Sequence, residues 1–243
     1  MESIENQTYK NIEHIINDSY STDTTLEIIQ EYIERNKDQH YIKLIKSEPK
    51  GVGNALNVAT SEATGDLIHY LHSDDYYLNK YSLEKVASRF RENPNCVWLT
   101  GNFLVEVRGK IMVIPQTYLL RVNSEKALSV MNIISHENTF MEREAVQMYG
   151  GFNEGKNDVV EYSLWLNLIK DHKPLIVNDE FTVFIIHKGS TSTGNLLKFS
   201  KAILRAFHTQ RKELVFPLLG YYADKSFYKQ YKQVFKKVIN FES

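Results

Sequence analysis

The chain contains 243 residues, of which 42% are hydrophobic and 24% charged, and it has a formal net charge of −1. This composition is typical of a globular protein with enough apolar residues for one sizeable α/β domain. Cys96 is the only cysteine, which excludes an intrachain disulfide, and no apolar run reaches transmembrane length or forms a secretory signal. We therefore expect a cytoplasmic protein.

Basic residues are concentrated towards residue 243. Residues 195–243 contain eight Lys and two Arg against two Glu and one Asp, a formal charge of +7 that leaves −8 for the rest. The spacing of apolar residues from Phe227 to Ile239 predicts an amphipathic helix in this basic helical tail. Two alternatives remain open: the apolar face packs against the chain's own domain, or the tail makes a peripheral contact with a membrane. No nucleic-acid motif accompanies the charge, so we expect no nucleic-acid partner.

Strands and helices alternate in the predicted secondary structure, which favours a parallel sheet with crossover helices. Strands are predicted at 13–17, 41–45 and 66–71, and helices at 25–33, 54–63 and 82–92. Further strands are predicted at 97–101, 103–107 and 110–114, the last two joined by a turn at Gly109. Helices at 142–149 and 158–170, strands at 175–177 and 181–187, and two final helical segments follow.

The stretch from Ala63 to Asp75 carries the clearest signal for a site. Residues 66–71 form an apolar run typical of a buried strand, and a Ser-Asp-Asp cluster follows it. Ligands of open α/β sheets bind at that end of a strand, and the adjacent carboxylates of Asp74 and Asp75 suit a divalent cation that holds a diphosphate. The alternative is a solvated turn in which one carboxylate caps a helix that begins near Lys80. This stretch alone leaves both interpretations open.

Several segments, read together and in order, are similar to those of one known family. They are Asn6–Glu13, Ile15–Asp23, Ser47–Gly51 with Ala55–Asn57, Ala63–Asp66 leading to Ser73–Asp75, and His136–Phe140 with Tyr149–Phe152 and Glu161–Leu166. The chain resembles the family 2 glycosyltransferases, inverting enzymes that build capsules, exopolysaccharides and lipopolysaccharide. The resemblance covers residues 6–192, and the order of the segments makes it more specific than any one motif.

The resemblance implies an α/β fold of the GT-A type, with a mixed, mainly parallel sheet flanked by helices. The glycosyltransferase domain would span residues 1–194, with a nucleotide-sugar half at 1–115 and an acceptor half at 116–194, followed by the tail at 195–243. The implied reaction moves a sugar from a nucleotide-sugar donor, expected to be UDP-linked, to a growing cell-surface glycan with inversion at the anomeric carbon. The implied acceptor is a glycan or a lipid-linked glycan, and the implied cofactor is a divalent metal, Mn²⁺ or Mg²⁺.

The matched positions also imply the roles of individual residues. Glu161 would be the general base that takes the proton of the acceptor hydroxyl. Asp18 matches the aspartate that recognises the nucleotide base. The remaining implied residues are Asn57, His72 and Asp74 for donor binding and Asp74 with Asp75 for the metal.

Each implied role has a structural alternative. Asp18 could cap its own loop, which is rich in Ser, Thr and Asp. Glu161 lies near the start of a predicted helix, where the helix dipole favours any acidic residue. Asn57 could stabilise its helix and the neighbouring loop. His136 and His187 could both be structural, although His187 at a strand end could complete a metal or phosphate site.

The chain departs from the family pattern in three places. The family's first apolar strand and its loop have no counterpart before Asn6, so we expect the strand at 13–17 to lack one neighbour. His72 stands where the leading Asp of the D-x-D motif is usual, which shifts the metal preference toward Mn²⁺ or removes the metal. Ser19 and Tyr20 replace Gly-Gly in the nucleotide loop. These departures favour a second hypothesis, a catalytically impaired GT-A domain that binds or scaffolds an active transferase.

Overall fold

The computed structural model describes residues 1–107, 109–114, 117–130, 132, 134–155 and 160–187. The helices are α1 (Glu2–Glu5), α2 (Thr25–Asn36), α3 (Val52–Glu62), α4 (Ser82–Glu92), α5 (Thr117–Val130), α6 (Arg143–Met148) and α7 (Tyr162–Asp171), with a 3₁₀ turn at His136–Asn138. The strands are β1 (Glu13–Asp18), β2 (Tyr41–Lys46), β3 (Leu67–Ile68), β4 (Tyr76–Tyr77), β5 (Trp98–Thr100), β6 (Phe103–Val107), β7 (Lys110–Ile114), β8 (Thr139–Glu142), β9 (Leu175–Ile176) and β10 (Thr182–Ile186). The predicted basic tail at 195–243 and its helices lie outside the described residues.

The strands form three hydrogen-bonded sheets. β1 pairs in parallel with β2, a second sheet has the order β4-β10-β6-β7, and a third has the order β3-β8-β5-β9. The mixed character of the fold is confirmed, although within the described residues three strand pairs are parallel and four are antiparallel. Three of the four antiparallel pairs arise because β7 folds back on β6 and β8 runs against both of its neighbours, and the fourth joins β10 to β4. Two of the three sheets therefore contain strands from both predicted halves.

Several helices and turns begin or end at residues whose side chains or backbone angles favour such a boundary. Asp23 Oδ1 accepts a hydrogen bond from the N–H of Thr25 at 2.9 Å, which supports the predicted start of α2. The hairpin of β6 and β7 turns at Gly109, whose φ of 72° favours glycine. After α6, Gly150 and Gly151 also have positive φ, as a helix C-cap requires. Within the described ranges, no helix combines the length and the apolar character needed to cross a membrane.

The strand predicted at 66–71 is shorter in the structure. Only Leu67 and Ile68 pair, with β8, and Leu67 is 37% exposed. Beyond Ile68 the polar atoms bond outside the sheet: His69 Nε2 donates to the backbone carbonyl of Glu137 at 2.8 Å and accepts at Nδ1 from the Tyr77 hydroxyl at 2.9 Å. The residues that follow Ile68 therefore lie outside the β-ladder and form the loop that carries the predicted metal ligands.

The core beneath this loop holds α7 in place. Trp98 of β5 and Trp165 of α7 are fully buried and stack with ring centroids 5.4 Å apart and an interplanar angle of 14°. Trp98 donates its indole N–H to the backbone carbonyl of His172 at 2.8 Å, and Trp165 donates to that of Ile134 at 3.3 Å. A buried indole that is also hydrogen-bonded fixes the orientation of its element. The N-terminal end of α7, which follows Glu161, is therefore anchored.

Candidate active site

The two carboxylates predicted to bind metal lie in one turn between β3 and β4. The N–H of Asp75 donates to the carbonyl of His72 at 3.1 Å, which closes the turn. The helix-capping alternative is wrong, because α4 begins only at Ser82 and the residue before it is Tyr81. Asp74 is therefore not used as a helix cap and is left for other contacts.

Asp74 and Asp75 have different surroundings. Asp74 Oδ2 lies 2.8 Å from His187 Nε2, and both side chains are partly exposed, at 35% and 48%. Asp75 is buried, and its Oδ1 accepts the N–H of Ile185 at 3.0 Å, while its Oδ2 has no hydrogen-bond partner among the described residues. Burial, followed by the negative charges of Glu137 and Asp74, raises the pKa of Asp75 to about 7. Asp75 thus anchors the turn to β10, and Asp74 faces His187.

A cluster of two histidines and one glutamate lies beside this turn. His72 Nε2 is 2.7 Å from His136 Nε2, and His136 Nε2 is 3.5 Å from Glu137 Oε1. His136 and Glu137 are buried in the 3₁₀ turn before β8, and the Ser135 hydroxyl donates to Glu137 Oε2. One ligand atom from each of the three residues lies within 4.8 Å of the other two. We call these three residues the histidine cluster.

The charges of the histidine cluster compensate one another. Burial alone would lower the pKa of His136, but the negative charges of Glu137 and Glu161 raise it to about 9. Burial and the positive charge of His136 lower the pKa of His72. His136 is therefore the protonated ring, and it donates to the neutral His72. The positive charge of His136 in turn keeps the pKa of Glu137 below its usual range, although burial opposes this.

Glu161, the predicted general base, lies next to the histidine cluster at the start of α7. Its Oε1 accepts a hydrogen bond from Asn132 Nδ2 at 2.7 Å, and its Oε2 is 3.8 Å from His136 Nδ1. The side chain is 13% exposed. The charges of both Asp74 and Glu161 act on His72, so the structure brings these two carboxylates near one histidine. Such an arrangement can hold a cation and accept a proton within one region.

Asp18 belongs to a separate group at the end of β1. The side chain is buried, and its Oδ2 accepts the N–H of Ser21 at 2.9 Å. Burial raises the pKa of Asp18, but hydrogen bonds from Ser21 outweigh this and lower it. Ser19 and Tyr20 lie between Asp18 and Ser21, and the φ of 59° at Tyr20 is a left-handed conformation that favours glycine. Among the contacts of the described residues, none joins Asp18 to the histidine cluster.

Asn57 is occupied by protein groups. Its Nδ2 donates to the carbonyl of Phe152 and to Glu154 Oε1, both at 2.8 Å, and its Oδ1 accepts the N–H of Phe152 at 2.8 Å. These bonds connect α3 to the turn that follows Gly151 and use both amide hydrogens. The predicted role of Asn57 in donor binding gains no support from these contacts, whereas its structural alternative does.

Two residues of this region are absent from the sequence prediction. Glu137 and Asn132 both lie near Glu161 or His136, but Asn132 is isolated in the sequence and its neighbours do not distinguish it. Glu137 follows His136 directly in a segment that resembles the family, and this adjacency was a usable signal for a charged pair. The contact between Asp74 and His187 spans 113 positions and cannot be read from local spacing.

A family profile described as "Glycosyl transferase family 2" matches residues 1–149, more than half of the chain. The chain belongs to glycosyl transferase family 2. This glycosyltransferase is 32% identical over 208 residues to the UDP-Glc:alpha-D-GlcNAc-diphosphoundecaprenol beta-1,3-glucosyltransferase WfaP of Escherichia coli, covering 84% of this chain and 76% of that protein. It is also 32% identical over 170 residues to an Escherichia coli chondroitin synthase, covering 69% of this chain but only 24% of that protein.

Solved structures share the fold of this chain. The mannosyltransferase PcManGT from Pyrobaculum calidifontis, in complex with GDP-Man and Mn²⁺, has a TM-score of 0.68 and 18% identity, covering 89% of this chain and 60% of that one. TarS of Staphylococcus aureus in complex with UDP-GlcNAc has a TM-score of 0.66 and 18% identity, covering 89% and 62%. The glycosyltransferase therefore has the GT-A fold, and it spans less than two thirds of these two solved chains.

Proposed function

We propose that this glycosyltransferase moves a sugar from a UDP-linked donor to a growing cell-surface glycan with inversion at the anomeric carbon. The observation that carries the proposal is that Asp74, paired with His187, and Glu161 both lie close enough to His72 for their charges to act on it. A glucosyltransferase relative is named for a UDP-Glc donor and a diphosphoundecaprenol acceptor, and TarS was solved with UDP-GlcNAc. These names support a UDP-sugar and a lipid-linked or glycan acceptor for this chain.

The residues present fit a divalent cation. Asp74 Oδ2, in the turn before β4, and His187 Nε2, directly after β10, are 2.8 Å apart. Oxygen with imidazole nitrogen is a donor set that suits Mn²⁺ better than Mg²⁺. The unpartnered Oδ2 of the adjacent Asp75 leaves one further oxygen for the cation or its water. A cation held there would neutralise the negative charge that builds on the departing diphosphate.

The chain's own carboxylate would then complete the transfer. Glu161 takes the proton of the acceptor hydroxyl while the bond from that oxygen to the anomeric carbon forms and the bond to the diphosphate breaks. Asn132 and His136 hold the two oxygens of Glu161 and thereby orient it. Asp18, fixed by Ser21 at the end of β1, would contact the nucleotide base.

Calorimetry with UDP and Mn²⁺ tests the donor part of this proposal. We expect Mn²⁺-dependent binding of UDP that Asp74→Asn and His187→Gln abolish. Glu161→Gln is the matched control, because it should bind UDP as the parent chain does while hydrolysis or transfer of a UDP-sugar falls by about 10²–10⁴-fold. Absence of UDP binding by the folded parent chain would instead favour the catalytically impaired scaffold, which the replacement of the leading D-x-D carboxylate by His72 also suggests.

A further inference from the structure

We propose that the histidine cluster is a site for a Zn²⁺-type transition-metal cation, separate from the Asp74 and His187 pair. Two imidazole nitrogens and one carboxylate oxygen converge there from His72, His136 and Glu137. Two histidines with one carboxylate form a donor set that binds Zn²⁺, with a fourth position left to water. The proposal concerns binding alone and does not rest on the proposed sugar transfer.

Two of the three spacings between the ligand atoms are close to what such a cation requires. Ligand atoms about 2.0–2.1 Å from a tetrahedral Zn²⁺ are about 3.3 Å from one another. His136 Nε2 and Glu137 Oε1 are already 3.5 Å apart. The two Nε2 atoms are 2.7 Å apart and must separate by about 0.6 Å to reach that tetrahedral spacing. At 2.7 Å they share a proton, and the cation would take the place of that proton, which is released to solvent.

The surroundings hold the ligands in position. The other ring nitrogen of His136, Nδ1, faces Glu161 Oε2 at 3.8 Å, and metal-binding histidines commonly present their second N–H to a carboxylate. The backbone carbonyl of Glu137 accepts bonds from His69 Nε2 and from the Thr182 hydroxyl. The 3₁₀ turn that carries two of the three ligands is therefore tied to the residue that follows β3 and to β10.

The charge and burial of the region also favour a cation. Glu137 is 8% exposed, and the carboxylates of Asp75 and Glu161 lie close enough for their charges to act on His136. A dication would offset this concentration of negative charge more fully than one shared proton does.

A second histidine pair in the chain lacks this convergence. His14 Nδ1 and His40 Nε2 each lie 3.1 Å from the hydroxyl of Tyr32, which stands between them. Because a phenolic O–H already satisfies both rings, no ligand position is shared. His40→Gln therefore provides a matched control for the loss of a hydrogen-bonded histidine.

The test is a titration of the metal-free full chain with Zn²⁺ by calorimetry and with Co²⁺ by visible absorbance, in the absence of nucleotide. We expect one equivalent to bind at the histidine cluster, with the intense visible bands of low-coordinate Co²⁺, in addition to any equivalent that binds at Asp74 and His187. His72→Gln and Glu137→Gln should each weaken binding by at least about ten-fold, which is the smallest effect usual for loss of a metal-site partner. His40→Gln and Asp74→Asn should bind Co²⁺ with an unchanged spectrum.

The proposal is overturned if the parent chain takes up no Zn²⁺, or if Asp74→Asn abolishes uptake while His72→Gln does not. The first result would leave the cluster as a hydrogen-bonded histidine pair, and the second would identify the bound ion as the one at Asp74. Circular dichroism establishes that each variant is folded. If Glu137→Gln does not fold, Glu137→Asp is titrated in its place. Because UDP and Mn²⁺ are absent, failure here leaves the donor-binding experiment unaffected.

Discussion

Individual histidines in this chain have their protonation set by what surrounds them. His136 lies among carboxylates, which raise its pKa to about 9 despite burial. His14, on β1, is near the N-terminal amine and His40 instead, and burial followed by these positive charges lowers its pKa to about 3. A histidine is therefore charged at position 136 and neutral at position 14.

The neutral state of His14 predicts a loss of stability in acid. Its folded pKa lies below the unfolded value of about 6.5, so the unfolded chain binds the proton first and stability falls as the pH drops from 6.5 toward 3. We expect His14→Gln to remove about 2 kcal/mol of the loss in unfolding free energy between pH 7 and pH 5. Urea denaturation of the parent and the variant at both pH values measures this. An equal loss in both proteins would contradict the burial of a neutral His14.

The residues of the candidate site are predictable where a motif surrounds them. Asp74 is singled out by the apolar run that precedes it, whereas Glu161 is implied only by the resemblance of its segment to the family. Their partners do not follow, since Asn132 and His187 come into contact only through the tertiary fold. The sequence also cannot distinguish the partly exposed Asp74 from the buried Asp75, because their difference depends on the bond from Ile185.

At the scale of elements, α3 is joined to the turn after α6 by very close contacts. A Cβ atom added at Gly53 would lie 2.1 Å from the carbonyl oxygen of Asn153, and one added at Gly151 would lie 2.6 Å from Asn57 Oδ1. The two segments therefore approach each other with no room for larger side chains. The turn carries Phe152, which is buried in the same core as α7.

This connection predicts the effect of replacing Asn57. Asn57→Ala removes the three hydrogen bonds to Phe152 and Glu154 and leaves buried backbone groups unpaired, so we expect a loss of about 2–4 kcal/mol in unfolding free energy. Ser61→Ala on the exposed side of α3 is the control and should change stability by less than about 0.5 kcal/mol. Unchanged stability together with a ten-fold weaker affinity for UDP would instead favour the donor-binding role.

Elements with strong local signals are predicted well. The helix at 82–92 and the hairpin strands at 103–107 and 110–114 agree with α4, β6 and β7, because each has a clear period and a Gly or Pro boundary. The run at 66–71 yields only the two residues of β3, since His69 and Tyr77 bond across the loop. The apolar residues of a segment indicate that it is buried, whereas the length of a strand depends on the segments with which its backbone forms hydrogen bonds.

For the whole molecule, the separation of charge along the chain predicts a salt-sensitive interaction. If the tail contacts a membrane, the full chain should cosediment with vesicles containing phosphatidylglycerol and not with neutral ones, at about 1 kcal/mol per lysine near the surface. Changing Lys225, Lys229, Lys232 and Lys236 to Glu should abolish this binding, as should salt of about 1 M, which reduces the Debye length to about 3 Å. Binding that is absent from the parent chain would favour packing of the tail against its own domain.

The architecture as a whole is predictable as α/β because helices and strands alternate clearly. The order in which the strands pair is less predictable, because β8, β9 and β10 pair with strands that lie much earlier in the chain. Long-range pairing is selected by packing between distant segments, such as the stacked Trp98 and Trp165, and neither tryptophan identifies its partner by local pattern.

The turn that carries Asp74 is fastened to β10 by two bonds, from Asp75 to Ile185 and from Asp74 to His187, which span 110 and 113 positions. A ribosome that has not yet added Ile185 and His187 would hold a nascent polypeptide in which the proposed cation site is incomplete. If the proposed function is correct, binding of the activated sugar therefore awaits synthesis as far as His187.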